Sequence, residues 1–200
     1  MSLLSGTVSA FRFIVLGTWH GEADAALALE IDRFRPFEDG SEDSRHGWAD
    51  WRNPLMPVDP NFLSADGVAT FALRIDKRKI PSAVLKAHVD QRIQKLLAEK
   101  DLAFLGKEAR LSIMDEVKSE LLPKVMPSMK VITCQWRFKD GIFLADGTSD
   151  VLASQVVKTF GIELQPLCPL VLAGRVIPTL NPEALVGIEP LDLRIDEVMA

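Results

Sequence analysis

Lys77, Arg78 and Lys79 form a run of three cations whose type and position suit the binding of phosphate groups. The run lies between a predicted strand and a predicted helix that Pro81 opens, since proline is tolerated in a first helical turn. The unpaired N–H groups and the dipole of a helix start also attract anions. The sequence therefore predicts a phosphate-binding junction at this point.

The cationic run belongs to a longer segment that carries the positive charge of an otherwise acidic chain. Residues 74–130 hold thirteen Lys/Arg and eight Asp/Glu, an excess of +5, whereas the 200-residue chain has a net charge of −5. Such a region suits a polyanion, an acidic partner surface or internal ion pairs. Lys86 and Asp90, and likewise Lys95 and Glu99, have the i,i+4 spacing of helical ion pairs. Charge alone therefore favours a solvated helix surface over a DNA-binding one.

Carboxylates are the second group that could do chemistry, because several of them converging on Mg²⁺ would make a metal-dependent nuclease. The candidates are Asp140, Asp146 and Asp150 around a predicted hairpin, and Asp66 and Asp76 at the ends of a strand. Aspartate at turns is also what turn chemistry alone produces. We therefore favour the structural interpretation and predict no metal and no cofactor. The sequence also lacks a glycine-rich phosphate loop and the motifs of serine hydrolases and zinc proteases.

Trp48 and Trp51 stand in a polar, proline-rich stretch, residues 38–60, that is predicted as a loop. Exposed aromatic rings could stack on nucleic-acid bases. Such residues more often attach a long loop to the core or fill a subunit interface.

The cysteines and histidines show no spacing that would indicate a zinc site. Cys134 and Cys168 are predicted as buried thiols of an intracellular protein rather than as a disulfide. No apolar run approaches the roughly 20 residues that cross a bilayer, and the N-terminal residues do not resemble a signal peptide. We therefore expect a cytoplasmic protein without membrane association. The three histidines are His20, His46 and His88.

Hydrophobic periodicity predicts the elements that must position these residues. Two charged helices, separated near Gly106 and ended by Pro123, indicate an αα-hairpin. Because hairpins outnumber βαβ crossovers, we predict an α+β fold with mainly antiparallel sheets and the αα-hairpin inserted between two β-α halves. The predicted strands span 8–16, 67–75, 130–138, 142–145 and 162–164, and the predicted helices span 22–34, 81–100, 107–122 and 149–160.

Three stretches of the chain resemble a known family. They are KRKIPSAVLKAHVDQRIQKLLAEK, KEARLSIMDEVKSELLPKVMP and VITCQWRFKDGIFLADGTSDVLASQVVKTFG. Their order and spacing are similar to those of the recombination-associated protein RdgC family. The Gly47-Trp48 pair also looks like the Gly-Trp loop of that family.

The resemblance also suggests how the chain is divided. We expect an RdgC-like core at 1–167, either undivided or composed of sub-domains 1–76 and 77–167, and a C-terminal extension at 168–200. The chain is shorter than the family form and has Phe104-Leu105-Gly106 where the family has a lysine-rich helix junction. It is therefore identified as a shortened or diverged member.

The resemblance implies a bacterial protein that encloses duplex DNA as a ring-shaped homodimer, with little sequence preference, and that restrains the RecA recombinase. It places Lys77, Lys79 and Lys86 at the DNA channel. The exonuclease label of the family is not supported by the residues. The leading hypothesis is a non-enzymatic, sequence-nonspecific duplex-DNA-binding protein of recombination or replication, located in the cytoplasm at the nucleoid. Its predicted phosphate contacts are Lys77, Arg78, Lys79, Lys86, Lys124 and Lys130.

Two other functions stay open at this point. One is a metal-dependent nuclease that uses Asp140, Asp146 and Asp150. The other is a protein-interaction module without DNA binding, whose tryptophan loop and apolar C-terminal segment contact a partner. Digestion of DNA that requires Mg²⁺ would indicate the first, and a captured partner without DNA affinity would indicate the second.

Overall fold

The computed structural model describes residues 9–17, 22–38, 42–59, 67–101, 103–168 and 171–172. Within them it is a mixed helix and sheet fold, as predicted. The strands are β1 Phe11–Leu16, β2 Ser44–Ala49, β3 Val68–Lys77, β4 Ser128–Arg137, β5 Ile142–Ala145 and β6 Glu163–Pro166. The helices are α1 Glu22–Ile31, α2 Ser82–Lys100, α3 Lys107–Leu121 and α4 Asp150–Phe160, with a 3₁₀ turn at Leu122–Lys124.

The six strands form one sheet in the order β2-β3-β4-β5-β1-β6. Every neighbouring pair is antiparallel, which confirms the predicted strand direction. The longest pairing joins β3 to β4 over ten residue pairs, from Val68 opposite Arg137 to Lys77 opposite Ser128. Strands from both predicted halves therefore meet in the middle of the sheet, and the division at residue 76 stays a prediction.

The core lies on one face of the sheet, called here the helix face, which α1 and α4 cover. Because side chains alternate along a strand, the odd-numbered residues of β3 and the even-numbered residues of β4 point to this face. Phe71 and Trp136 come from these two strands and are buried. The ring of Phe160 in α4 lies 6.0 Å from Phe71 and 5.2 Å from Trp136. An aromatic cluster thus fastens α4 to the centre of the sheet.

The helices α2 and α3 form the predicted αα-hairpin between β3 and β4. They pack chiefly on each other. Ile113 and Val117 of α3 are buried, whereas no residue of α2 is. With 19 residues, α2 is about 28 Å long, so the pair extends from the sheet as an arm.

The strand β2 corrects the prediction that residues 38–60 are a loop. Its sequence, SRHGWA, has few of the β-branched and aromatic residues that favour strands, and pairing with β3 determines its conformation. Trp48 is fully buried, at 5.0 Å from the ring of Phe71, and its indole donates to Thr159 Oγ1 at 2.9 Å. The base-stacking interpretation is therefore wrong for Trp48, which attaches β2 to the core. Trp51 is half-buried beyond the strand.

The outer edge of β2 is covered by the residues that follow α1. Trp48 N–H donates to the Asp32 carbonyl at 3.1 Å, and Phe34 N–H donates to the Trp48 carbonyl at 2.7 Å. These bonds explain why α1 ends at Ile31, before the predicted end at residue 34. They also leave no room beside Gly47, since a Cβ atom there would lie 2.6 Å from the Cα of Phe34. Covering the edge in this way prevents pairing with another chain.

The Gly47→Ala substitution is expected to lower the free energy of unfolding by about 1–3 kcal/mol, because its methyl group must displace backbone atoms. Urea denaturation measures the change. Gly147→Ala is the matched control, since its Cβ would meet the Ile132 side chain at an ordinary 3.7 Å. The control should stay within about 0.5 kcal/mol of the wild type. Equal stability of the two variants would contradict the close approach of residues 33–34.

Candidate nucleic-acid interface

Lys77 and Lys130 lie together on the helix face, at the end of the β3–β4 ladder. Lys77 is opposite Ser128 and Ile75 is opposite Lys130, which makes the two lysines diagonal neighbours on one face. Such neighbours are about 7–8 Å apart. Both side chains are exposed, and Ser128 Oγ donates to the Lys77 carbonyl at 3.1 Å. The sheet register therefore brings together two cations that are far apart in sequence.

The αα-hairpin places two further lysines at its base. Lys79 lies two residues beyond the end of β3, and Lys124 ends the 3₁₀ turn that returns the chain to β4. Lys86 lies about 6 Å further along α2 than Ser82, which begins the helix. All three side chains are exposed. The predicted lysines thus lie around one end of the molecule, where the arm meets the sheet.

Arg78 differs from the predicted lysines because it is half-buried. Its guanidinium carbon lies 4.1 Å from the centre of the Phe37 ring, within the range of a cation–π contact. Its backbone N–H donates to the Asp43 carbonyl at 2.8 Å. Arg78 therefore joins the end of β3 to the segment before β2. Its side chain packs against the fold as well as carrying a positive charge.

Ion pairing separates the cations of the protein into two groups. Lys95 pairs with Glu99 at 3.8 Å, as its spacing predicted. In the described residues no pair forms between Lys86 and Asp90, and none of the predicted lysines has a carboxylate within 4.0 Å. The positive charge of these lysines is therefore not neutralised by the described part of the chain. They are Lys77, Lys79, Lys86, Lys124 and Lys130.

A second region rich in cations, which the sequence did not predict, is a groove between the end of α1, β2 and α4. Its volume is about 380 Å³. His46 belongs to this groove and is opposite Ile75 on the helix face, which makes it a diagonal neighbour of Lys77. No motif could have revealed the groove, because it combines residues from three separate segments of the chain. It is lined by Ile31, Asp32, Arg33, Arg35, Glu38, Arg45, His46, Gln155 and Lys158.

Asp32 lies at the centre of a hydrogen-bond network in this groove. It accepts from Lys158 Nζ at 2.9 Å and from Thr159 Oγ1 at 2.8 Å. Burial raises the pKa of Asp32, but these two hydrogen bonds and the charges of Lys158 and His46 together outweigh burial and lower the pKa below its usual value. Since Thr159 also accepts from Trp48, the charged carboxylate links α1, β2 and α4.

The candidate metal ligands that the structure describes do not converge. Asp140 pairs with Arg137 at 3.2 Å, and Asp146 accepts the N–H of Thr133 at 2.8 Å. Asp76 is buried and receives two hydrogen bonds from Arg74, at 2.9 and 2.6 Å. Across the described ranges, no group of three or more His, Cys, Asp or Glu side chains could hold a metal ion. Asp66 lies outside the described residues. Turn and ladder contacts therefore account for Asp76, Asp140 and Asp146.

Both cysteines are free, in agreement with the prediction of thiols. Cys134 is buried, as expected, and burial raises the pKa of its thiol, with the charge of Asp146 adding to the effect. Cys168 is exposed, which corrects the expectation that both are buried. Among the described helices, none is long and apolar enough to cross a membrane.

Comparison with known families gives one finding for this chain. Residues 8–177 match the family model described as "Putative exonuclease, RdgC". The match includes the whole sheet and the αα-hairpin. A comparison with curated proteins finds no match.

The network around Asp32 predicts a specific pH dependence of stability. Because its folded pKa is lowered, Asp32 contributes stability that is present above its unfolded pKa of about 3.9 and is lost as the pH falls through the folded value. Asp32→Asn is therefore expected to be about 1–3 kcal/mol less stable than the wild type at neutral pH.

The measurement is the free energy of unfolding of both proteins as a function of pH. The difference between them should shrink as the pH falls below about 3.9. Asp140→Asn, at an exposed ion pair, is the control and should differ little from the wild type at any pH. A difference for Asp32→Asn that does not change with pH would show that its charge is not what stabilises the fold.

Proposed function

The chain belongs to the RdgC family, and on that premise we propose that it binds duplex DNA without sequence preference and without enzymatic activity. The family is recombination-associated. Phosphate contacts would supply most of the affinity, because nonspecific binding to DNA depends on neutralising backbone charge. The proposed contacts are Lys77, Arg78, Lys79, Lys86, Lys124 and Lys130.

The observation that carries this proposal is the set of exposed lysines at the base of the arm. A protein with a net charge of −5 is repelled by DNA at a distance, so binding requires a local region of opposite charge. The lysines meet this requirement, since their charges are not neutralised within the described residues. Their position at one end of the β3–β4 ladder supports contact with a single phosphate backbone.

The arm supports a second part of the proposal, that the protein acts as a homodimer that encloses the duplex. Several large apolar side chains of the arm and its connections are exposed, which is typical of surfaces that contact another protein. A symmetric dimer would cover such a surface with its own copy. These side chains are Phe104, Leu111, Met114 and Met126. RecA is the proposed further partner, and the nucleoid the proposed location.

The double variant Lys77→Ala/Lys130→Ala is expected to bind random-sequence duplex DNA more weakly, and with a smaller salt dependence. The slope of log K against log salt should decrease by about 0.9 for each lysine that contacts a phosphate. Fluorescence anisotropy with labelled duplex, at several salt concentrations, measures both quantities.

Lys139→Ala is the matched control for the double variant. Lys139 is also an exposed lysine, but it lies in the turn beyond Arg137, the end of β4 that is about 23 Å from Lys130 along the strand. For the Lys139→Ala variant, the slope of log K against log salt should equal that of the wild type. A wild-type protein whose affinity for duplex is undetectable at low salt, or independent of salt, would overturn the proposed function.

Leu111→Lys is expected to convert the proposed homodimer to a monomer, because it places a charge in the apolar surface of the arm. The mass of the protein in solution, measured by light scattering, reports the change. Ser112→Lys adds the same charge at the neighbouring exposed position and should leave the mass unaltered. A wild-type protein that is monomeric at all concentrations tested would exclude a ring.

A further inference from the structure

The groove between α1, β2 and α4 contains hydrogen-bond donors that the fold does not use. Arg35 is exposed, and within the described residues its five side-chain N–H groups have no partner. Lys158 gives one of its three ammonium hydrogens to Asp32. Gln155 is only 2% exposed and gives one of its two amide hydrogens to Thr159, at 3.1 Å. Donors from three positions therefore face one cavity.

One unpaired cation in the groove is available to an anionic ligand. Four Arg/Lys side chains line it, and three of them are paired: Arg33 with Glu30, Arg45 with Glu42 and Lys158 with Asp32. Among the described residues, Arg35 is the lining cation without an ion pair. One carboxylate, Asp32, already accepts from Lys158 and Thr159, and the other, Glu38, is 74% exposed at the rim, 4.0 Å from Arg45. Neither leaves an unmatched negative charge on the floor of the groove.

Arg33 and Arg45 form the walls of the groove, and their side chains are already bound within the protein. Arg45 is held by Glu42 through two hydrogen bonds, at 2.8 and 3.0 Å, and also donates to the Pro36 carbonyl. Arg33 pairs with Glu30 at 2.7 Å. Since these two side chains are engaged, the groups available to a ligand are Arg35, His46, Gln155 and Lys158.

We infer that this groove binds a phosphate group. A phosphate presents several acceptor oxygens at once, which suits the guanidinium of Arg35 after α1 together with the ammonium and the amide of α4. A volume of about 380 Å³ admits a phosphate together with part of the molecule that carries it. His46 joins the groove to Lys77 on the helix face, so a DNA backbone that crosses the lysines also reaches the groove.

The source of the phosphate is DNA if the proposed function holds, and this part of the inference rests on it. The alternative source is a free phosphate or a small phosphorylated molecule, which needs no DNA binding. Both sources use the same donors in the groove, and the experiment distinguishes them.

The test follows the Gln155 side-chain amide signals of the full chain by NMR, first with inorganic phosphate and then with a short random-sequence duplex. Both additions are expected to shift these signals. Arg35→Ala should weaken phosphate binding by about tenfold, the loss of one charge-assisted hydrogen bond. Arg12→Ala is the control, because Arg12 is an exposed arginine on the opposite face of the sheet and should change nothing. An unchanged Trp48 indole signal shows that each variant is folded.

The outcomes separate this inference from the proposed function. If phosphate shifts the Gln155 signals and the duplex does not bind, the groove is a phosphate site and the DNA-binding function fails. If the duplex binds but the Gln155 signals do not move, and Arg35→Ala binds normally, the inference is overturned while the proposed function stands. If neither addition moves the signals, the groove does not bind phosphate.

Discussion

The ten-pair ladder between β3 and β4 is the constraint on which the rest of the molecule depends. Its register places Phe71 and Trp136 on the face that α4 covers, and so determines where the core forms. The same register ends with Lys77 opposite Ser128, at the point where the chain leaves for α2 and returns from α3. Core, arm and exposed lysines are therefore all consequences of one strand pairing. A shift of one residue would exchange the two faces of both strands.

Electrostatics explains how an acidic protein presents a cationic end. Cations within the fold are engaged locally, as when the Arg74 guanidinium binds the buried Asp76 and also lies 4.0 Å from the centre of the Phe34 ring. The lysines around the base of the arm are not engaged in this way within the described residues. Since exposed ion pairs contribute little stability, the fold loses little by leaving these charges available to a ligand.

The elements with local signals could be predicted from the sequence, and those that depend on distant pairing could not. Gly141 and Gly161, with φ of +61° and +65°, mark the turn after β4 and the end of α4. In contrast, β2 is a strand because β3 pairs with it, and the burial of Trp48 depends on Thr159, which is 111 residues away in sequence. The cationic run that begins at Lys77 could also be predicted, because its residues are consecutive in the sequence. The groove was not, because its cations become neighbours only in the folded chain.

The absence of any buried residue in α2 has a consequence for the dynamics of the arm. Amide hydrogen exchange reports local opening, and its free energy is smallest where few apolar contacts must be broken. The arm has few such contacts and its connection to the sheet is confined to its base, so its helices can open while the β3–β4 ladder stays closed. We therefore expect the arm to open as a cooperative unit of its own, separately from the ladder.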